Sequence, residues 1–167
     1  MKYTQTFESF LNEAKKPRIT INADLWKGQT PVIRKDSHGD QYIFYSGDVL
    51  GGQYVNFLDK PNVVLIVVEA SNGDKNKLYI KVGYGSESDS GEKRYRRSIG
   101  DVVETSPEEL KADPKGIAKK VADNFVAAKK SFDMNFWPYD DDAIFKIEKD
   151  VEKPALEVIE FATKNLI

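Results

Sequence analysis

The sequence predicts an α+β protein, a mainly antiparallel sheet of about five to seven strands followed by C-terminal helices. Three observations carry that expectation. Between residues 18 and 100, apolar residues alternate with polar ones at a period of two, interrupted by clusters of Gly, Asn, Asp and Ser. Within that region, residues 63–68 read Val-Val-Leu-Ile-Val-Val, apolar on both faces, as suits a central strand covered on both sides. After Thr105 the spacing changes to three and four, the period of amphipathic helices. Strands first and helices afterwards place the helices together on one face of the sheet.

Residues 4–16 are expected to form a short amphipathic helix, because Phe7, Phe10, Leu11 and Ala14 fall on one stripe. Thr4 or Thr6 can cap its start, Glu8 suits the positive end of the helix dipole and Lys15 and Lys16 the negative end. Pro17 stops it by forcing the preceding residue into an extended conformation. The expected organisation is therefore a segment at 1–16 and a single α+β domain at 17–167.

Ile19 and Ile21 then alternate with polar neighbours. Residues 31–35 and 41–45 flank Asp36-Ser37-His38-Gly39-Asp40, a turn cluster that predicts a hairpin. Gly51-Gly52 opens a further expected strand at 53–58. Ser71-Asn72-Gly73-Asp74 joins the 63–68 strand to one in which Leu78, Ile80, Val82 and Tyr84 alternate with Lys77, Tyr79 and Lys81. Residues 93–99 add one more strand. Ser106-Pro107-Glu108-Glu109 then supplies a cap, a proline at the first helical position and acids in the first turn. Pro114 cuts that helix short. The next helix carries Ile117, Val121, Phe125 and Ala128 on one stripe. A last helix, from about Pro154 to Asn165, buries Ala155, Val158, Ile159, Ala162 and Leu166.

Composition excludes several function classes. The 167 residues include 25 Lys and Arg against 27 Asp and Glu, a net charge of −2, which argues against strong nucleic-acid binding. There is no cysteine and a single histidine, His38, so disulfides, thiolate chemistry and multi-histidine metal centres are ruled out, and no cofactor is expected. No apolar run approaches the roughly 18 residues of a membrane span, so no membrane partner is expected and the chain should be soluble.

Two clusters stand out as candidate binding residues. Lys93-Arg94-Tyr95-Arg96-Arg97 sets four cations around an aromatic ring, a pattern able to grip oxyanions or acidic protein, or to serve as a charged edge strand that resists aggregation. On a regular strand Arg94 and Arg96 would share one face, with Lys93, Tyr95 and Arg97 on the other. The stretch at 133–142 places Trp137 and Tyr139 beside Asp140-Asp141-Asp142, either a partner anchor or a buried link followed by a helix cap. Gly83-Tyr84-Gly85-Ser86 resembles part of a dinucleotide fingerprint but lacks its third glycine and its helix. No G-x-S-x-G turn exists, and no catalytic residue is assigned.

The first residues do carry a resemblance. Glu8, Ser9, Asn12 and Glu13 interrupt any secretory apolar core, so export is rejected. Met1-Lys2, then Phe7, Phe10 and Leu11-Asn12-Glu13-Ala14, resembles the N-terminal leader of internal head proteins of large contractile-tailed bacteriophages. In that family the leader directs the protein into the prohead, and the prohead protease cuts after Glu in a (Leu or Ile)-x-Glu sequence followed by a small residue. Leu11, Glu13 and Ala14 match that rule. The resemblance implies the prohead protease and scaffold as partners, location in the virion head and then the host cytoplasm, and a binding or inhibitor role against a host protein. Cleavage would remove one Lys and two Glu and leave the net charge near −1. Two other readings follow from the body of the chain: a small phage enzyme, nuclease or transferase, using His38, Arg94, Arg96, Arg97 and carboxylates, confined to the host cytoplasm, or a structural head component.

Overall fold

The computed structural model describes residues 19–48, 62–87, 93–98, 100–128, 145–147 and 149–166. The expected helix at 4–16, the strand at 53–58, the processing residues Leu11, Glu13 and Ala14, and the candidates Trp137 and Tyr139 lie outside those residues.

The α+β class holds. β1 (Ile19–Ile21) is followed by a 3-10 turn (Ala23–Trp26), β2 (Val32–Lys35), β3 (Gln41–Asp48), β4 (Asn62–Ala70), β5 (Leu78–Glu87), β6 (Lys93–Ser98) and β7 (Val103–Thr105). Next come α1 (Pro107–Ala112), α2 (Pro114–Ala127), β8 (Phe145–Ile147), a second 3-10 turn (Lys149–Val151) and α3 (Glu152–Asn165). Strands β2-β3-β4-β5-β6 lie side by side in chain order, all antiparallel, and β7 pairs with the start of β5.

The 63–68 run occupies the middle of this sheet, as its two-sided apolar pattern requires. Val64, Ile66 and Val68 face the helices together with Ile43, Tyr45, Leu78, Ile80, Val82 and Val103. Against them pack Ala118, Val121, Ala122 and Phe125 of α2 and Ala155, Val158, Ile159 and Ala162 of α3. Leu65 and Val67 point the other way and are also buried, beside half-buried Tyr42 and Phe44.

Capping chemistry sets the helix starts. Ser106 accepts from the Glu109 amide, and the Glu109 carboxylate accepts from the Ser106 amide, a reciprocal capping box worth about 1 kcal/mol. Asp113 both ends α1 and caps α2 through the Gly116 amide, so Pro114 starts a new helix where the sequence required a break.

Two features depart from expectation. β8 follows two helices and pairs in parallel with β1, Ile19 opposite Phe145 and Ile21 opposite Ile147, so the order of strands and helices is not strictly separated. The strand at 93–98 forms, but the register with β5 shifts between Tyr84 and Gly85: Arg97 stands opposite Tyr84 and Tyr95 opposite Gly85. One extra residue, Arg96, sits between those pairs. A bulge there interrupts the regular backbone alternation of β6. Arg94, opposite Ser86, and Arg97, opposite Tyr84, occupy alternate positions of the same β5 register.

At one end of the sheet the two hairpin turns are joined. Asp36 Oδ1 accepts from the amides of His38 (2.8 Å) and Asp40 (3.0 Å), and Asp40 Oδ1 accepts from the Asn72 amide at 2.7 Å. Gly39 has φ +89, and a Cβ there would lie 2.9 Å from the Asn72 side chain, so both the backbone conformation and the close approach call for glycine.

Candidate functional site

A polar cleft of about 180 Å³ lies between the first 3-10 turn, β3 and the start of α3. It is built from local turns that meet far along the chain. Asn22 caps the 3-10 turn by accepting from the Asp24 amide at 2.9 Å, and this orients Trp26 towards β3. β2 stops opposite Phe44. Beyond it, the Trp26 indole N–H donates to the Tyr45 carbonyl at 2.9 Å, and both side chains are buried. Gly47 makes this possible, since a Cβ there would lie 3.0 Å from the indole ring.

The Tyr45 ring lies 6.3 Å from that of Trp26, tilted by 51°. Its hydroxyl donates to Oε2 of Glu157 on α3. Burial, the hydrogen bond and the charge of Glu157 push the Tyr45 phenol well above its ordinary range, so it is a donor at neutral pH. Lys153 and Lys27 stand at the margin, the latter paired with Asp24 at 2.9 Å. Two aromatic rings, a carboxylate and marginal ammonium groups offer a cation an anionic, π-rich wall and an anion a positive rim. This is recognition chemistry for a group carrying both charge and apolar surface.

A second, shallower hollow of about 380 Å³ lies on the opposite face of the sheet, lined by Glu69, Tyr79, Lys81, Val102 and Glu104. Its charges are already matched: Lys81 pairs with Glu69, and Lys77 with Glu104 at 3.1 Å.

The residues singled out in the sequence do not converge on the cleft. His38 sits exposed in the β2–β3 turn, its amide engaged by Asp36. Arg94, Tyr95, Arg96 and Arg97 lie on β6, at the opposite edge of the sheet, and only their backbone positions are described. Four strand spacings separate β2 from β6, on the order of 19 Å. The register adds to this, since Gln41, next to the turn, aligns with Leu78 through Ala70, whereas Arg94 aligns with Ser86 at the far end of β5. His38 and the arginine cluster are therefore not one site. Conversely, Trp26, Tyr45 and Glu157 were not singled out. Asn22 followed by Asp24 carried a local capping signal, but nothing in the sequence pairs Tyr45 with a residue 112 positions later.

Among the described residues no group of three or more His, Cys, Asp and Glu could hold a metal ion, and no helix is long and apolar enough to cross a membrane. No protein-family profile matches the chain, and neither the curated proteins nor the solved structures contain a match to it.

Proposed function

We propose that this chain is an internal head protein of a large contractile-tailed bacteriophage. It is packaged into the prohead through residues 1–13, cut between Glu13 and Ala14, delivered with the genome, and acts in the host as a binding protein against a host factor. The observation that carries the reading is Leu11-Asn12-Glu13-Ala14, closed by Pro17, ahead of a domain whose described core begins at Ile21. The cut bond precedes β1, so processing leaves every described core residue in place. Phe7, Phe10 and Leu11 at helical spacing give the leader an apolar face suited to a groove in the scaffold. The binding role draws support from the cleft, where Trp26, Tyr45 and Glu157 combine aromatic surface with a carboxylate.

Peptide mass spectrometry of purified virions tests this reading. The expected result is a semi-specific peptide beginning at Ala14, lost when Glu13→Gln is introduced. Absence of the protein from particles would overturn the packaging, and an intact N-terminus in mature particles would overturn the processing.

A further inference from the structure

Strand β2 forms one edge of the large sheet, and all four of its residues are exposed. The Asp36 amide donates to the Asp40 carbonyl at 3.0 Å across the closing pair of the hairpin, so alternation gives the inward bonds to Arg34 with Tyr42 and to Val32 with Phe44. The N–H and C=O groups of Ile33 and Lys35 therefore point away from the sheet.

Edge strands are usually closed by charge, proline or a covering element. β2 is only half closed. Val32 and Ile33 are 46% and 40% exposed, two of the three large exposed apolar side chains among the described residues. Arg34 and Lys35 follow, and neither has an acidic partner among the described residues. The Asp36 and Asp40 bonds hold the adjoining turn, so the edge is presented in a fixed geometry.

We propose that the β2 edge takes an extended segment of a partner protein as an additional antiparallel strand. The charge pattern selects its sequence. Read in its own direction, the incoming strand meets Lys35, Arg34, Ile33 and Val32 in turn, so it carries two acidic residues followed by two apolar ones. A second copy of β2 fits poorly, since antiparallel self-pairing centred on the strand sets Arg34 against Val32 or against a second Arg34 and leaves every cation without an acid. Main-chain bonds to Ile33 and Lys35 supply attachment, and the four side chains supply selection. This deepens the proposed binding role and rests on it, but it is independent of packaging in the virion.

The test is amide NMR of the full chain titrated with acetyl-Gly-Glu-Glu-Val-Val-Gly-amide. Expected are saturable shifts centred on β2 and slowed hydrogen exchange at the Ile33 and Lys35 amides. Replacing both Glu of the peptide by Ser should weaken binding roughly fivefold, the effect of losing two cross-strand charge pairs. Ile33→Pro removes an outward donor without touching an inward bond and should abolish the exchange protection. Should that variant lose its fold, Arg34→Glu combined with Lys35→Glu serves instead, and should switch preference to the peptide with Lys in place of Glu. Shifts that map elsewhere, equal binding of Glu and Lys peptides, or a concentration-dependent dimer that protects the same amides without peptide would each overturn the proposal. A virion result in either direction leaves these outcomes unchanged, so the two readings fail separately.

Discussion

The two faces of the same strands have been solved by different chemistry. Towards the helices, β3, β4 and β5 present Ile43, Tyr45, Val64, Ile66, Val68, Leu78, Ile80 and Val82, which meet two helices in one continuous apolar cluster. Away from them, the alternate positions mix Leu65 and Val67 with Tyr42, Phe44, Glu69, Tyr79 and Lys81. The first face buys stability through area alone. The second combines a small apolar centre with matched charges, stacked Tyr42 and Phe44 rings 6.0 Å apart, and the hairpin lock at Asp36. A face of the first kind tolerates volume-conserving change, whereas one of the second kind depends on its charge pairs and polar contacts as well.

The largest effect is expected on the helix side. Phe125 is fully buried between α2 and the sheet, and Phe125→Ala should cost about 3–5 kcal/mol in denaturant unfolding. Leu65→Ala on the opposite face gives the direct comparison. Leu65 is equally buried, so a loss of about 2–4 kcal/mol is expected. A loss below about 1 kcal/mol would show that this second cluster can relax around a missing side chain, and that the sheet has only one effective core.

The same contrast explains how much was legible in the sequence. The β4–β5 hairpin, the capping box at Ser106 and the break at Pro114 are encoded by neighbours, within reach of a period or a cap rule. β1, β7 and β8 are three residues each, too short for any period to emerge, and β1 and β8 are joined in parallel across most of the chain. The bulge at Arg96 is equally silent, because a run of cations carries no apolar phase to betray an extra residue. The cleft was missed for a related reason. Its defining contacts, Trp26 to Tyr45 and Tyr45 to Glu157, depend on where the first 3-10 turn meets β3 and where α3 crosses β3, and neither is a local property.

Trp26→Phe probes that non-local seam at intermediate size. The ring is largely conserved, but the Tyr45 carbonyl loses its buried donor, so a loss of about 1–2 kcal/mol is expected. Amide exchange should quicken along the β3 edge and leave β4 and β5 unchanged. Uniform quickening across the sheet would mean that the seam is part of the global core.

Alkaline pH reaches both faces, each through one tyrosine. Burial, the charges of Glu69 and Asp36, and the hydrogen bond to Asp36 push the Tyr42 phenol up to about 12. A raised folded-state value means that the fold favours the neutral phenol. That contribution is complete below about pH 10, the value of a free tyrosine, and is lost as pH rises through about 12. Tyr45 shifts in the same direction from the helix side. Tyr42→Phe should therefore flatten part of the fall in the urea midpoint between about pH 10 and 12, with Tyr45 supplying the remainder. An unchanged slope would place the alkaline sensitivity entirely at the Tyr45–Glu157 contact.

The smallest effect compares single polar atoms. Ser46 and Thr105 are the two buried polar side chains among the described residues, one on each face. Thr105 donates its hydroxyl to Glu109 at 3.1 Å, whereas Ser46 Oγ has no hydrogen-bond partner. A buried hydroxyl without a partner has lost its hydration and gained nothing in return, so its removal should help. Ser46→Ala is expected to stabilise the protein by about 0.5 kcal/mol, and Thr105→Val to destabilise it by about 1 kcal/mol because the Glu109 carboxylate loses a donor. If Ser46→Ala instead costs as much as Thr105→Val, the hydroxyl is satisfied in solution, and the outer face must admit water to within reach of Leu65, its cross-strand neighbour.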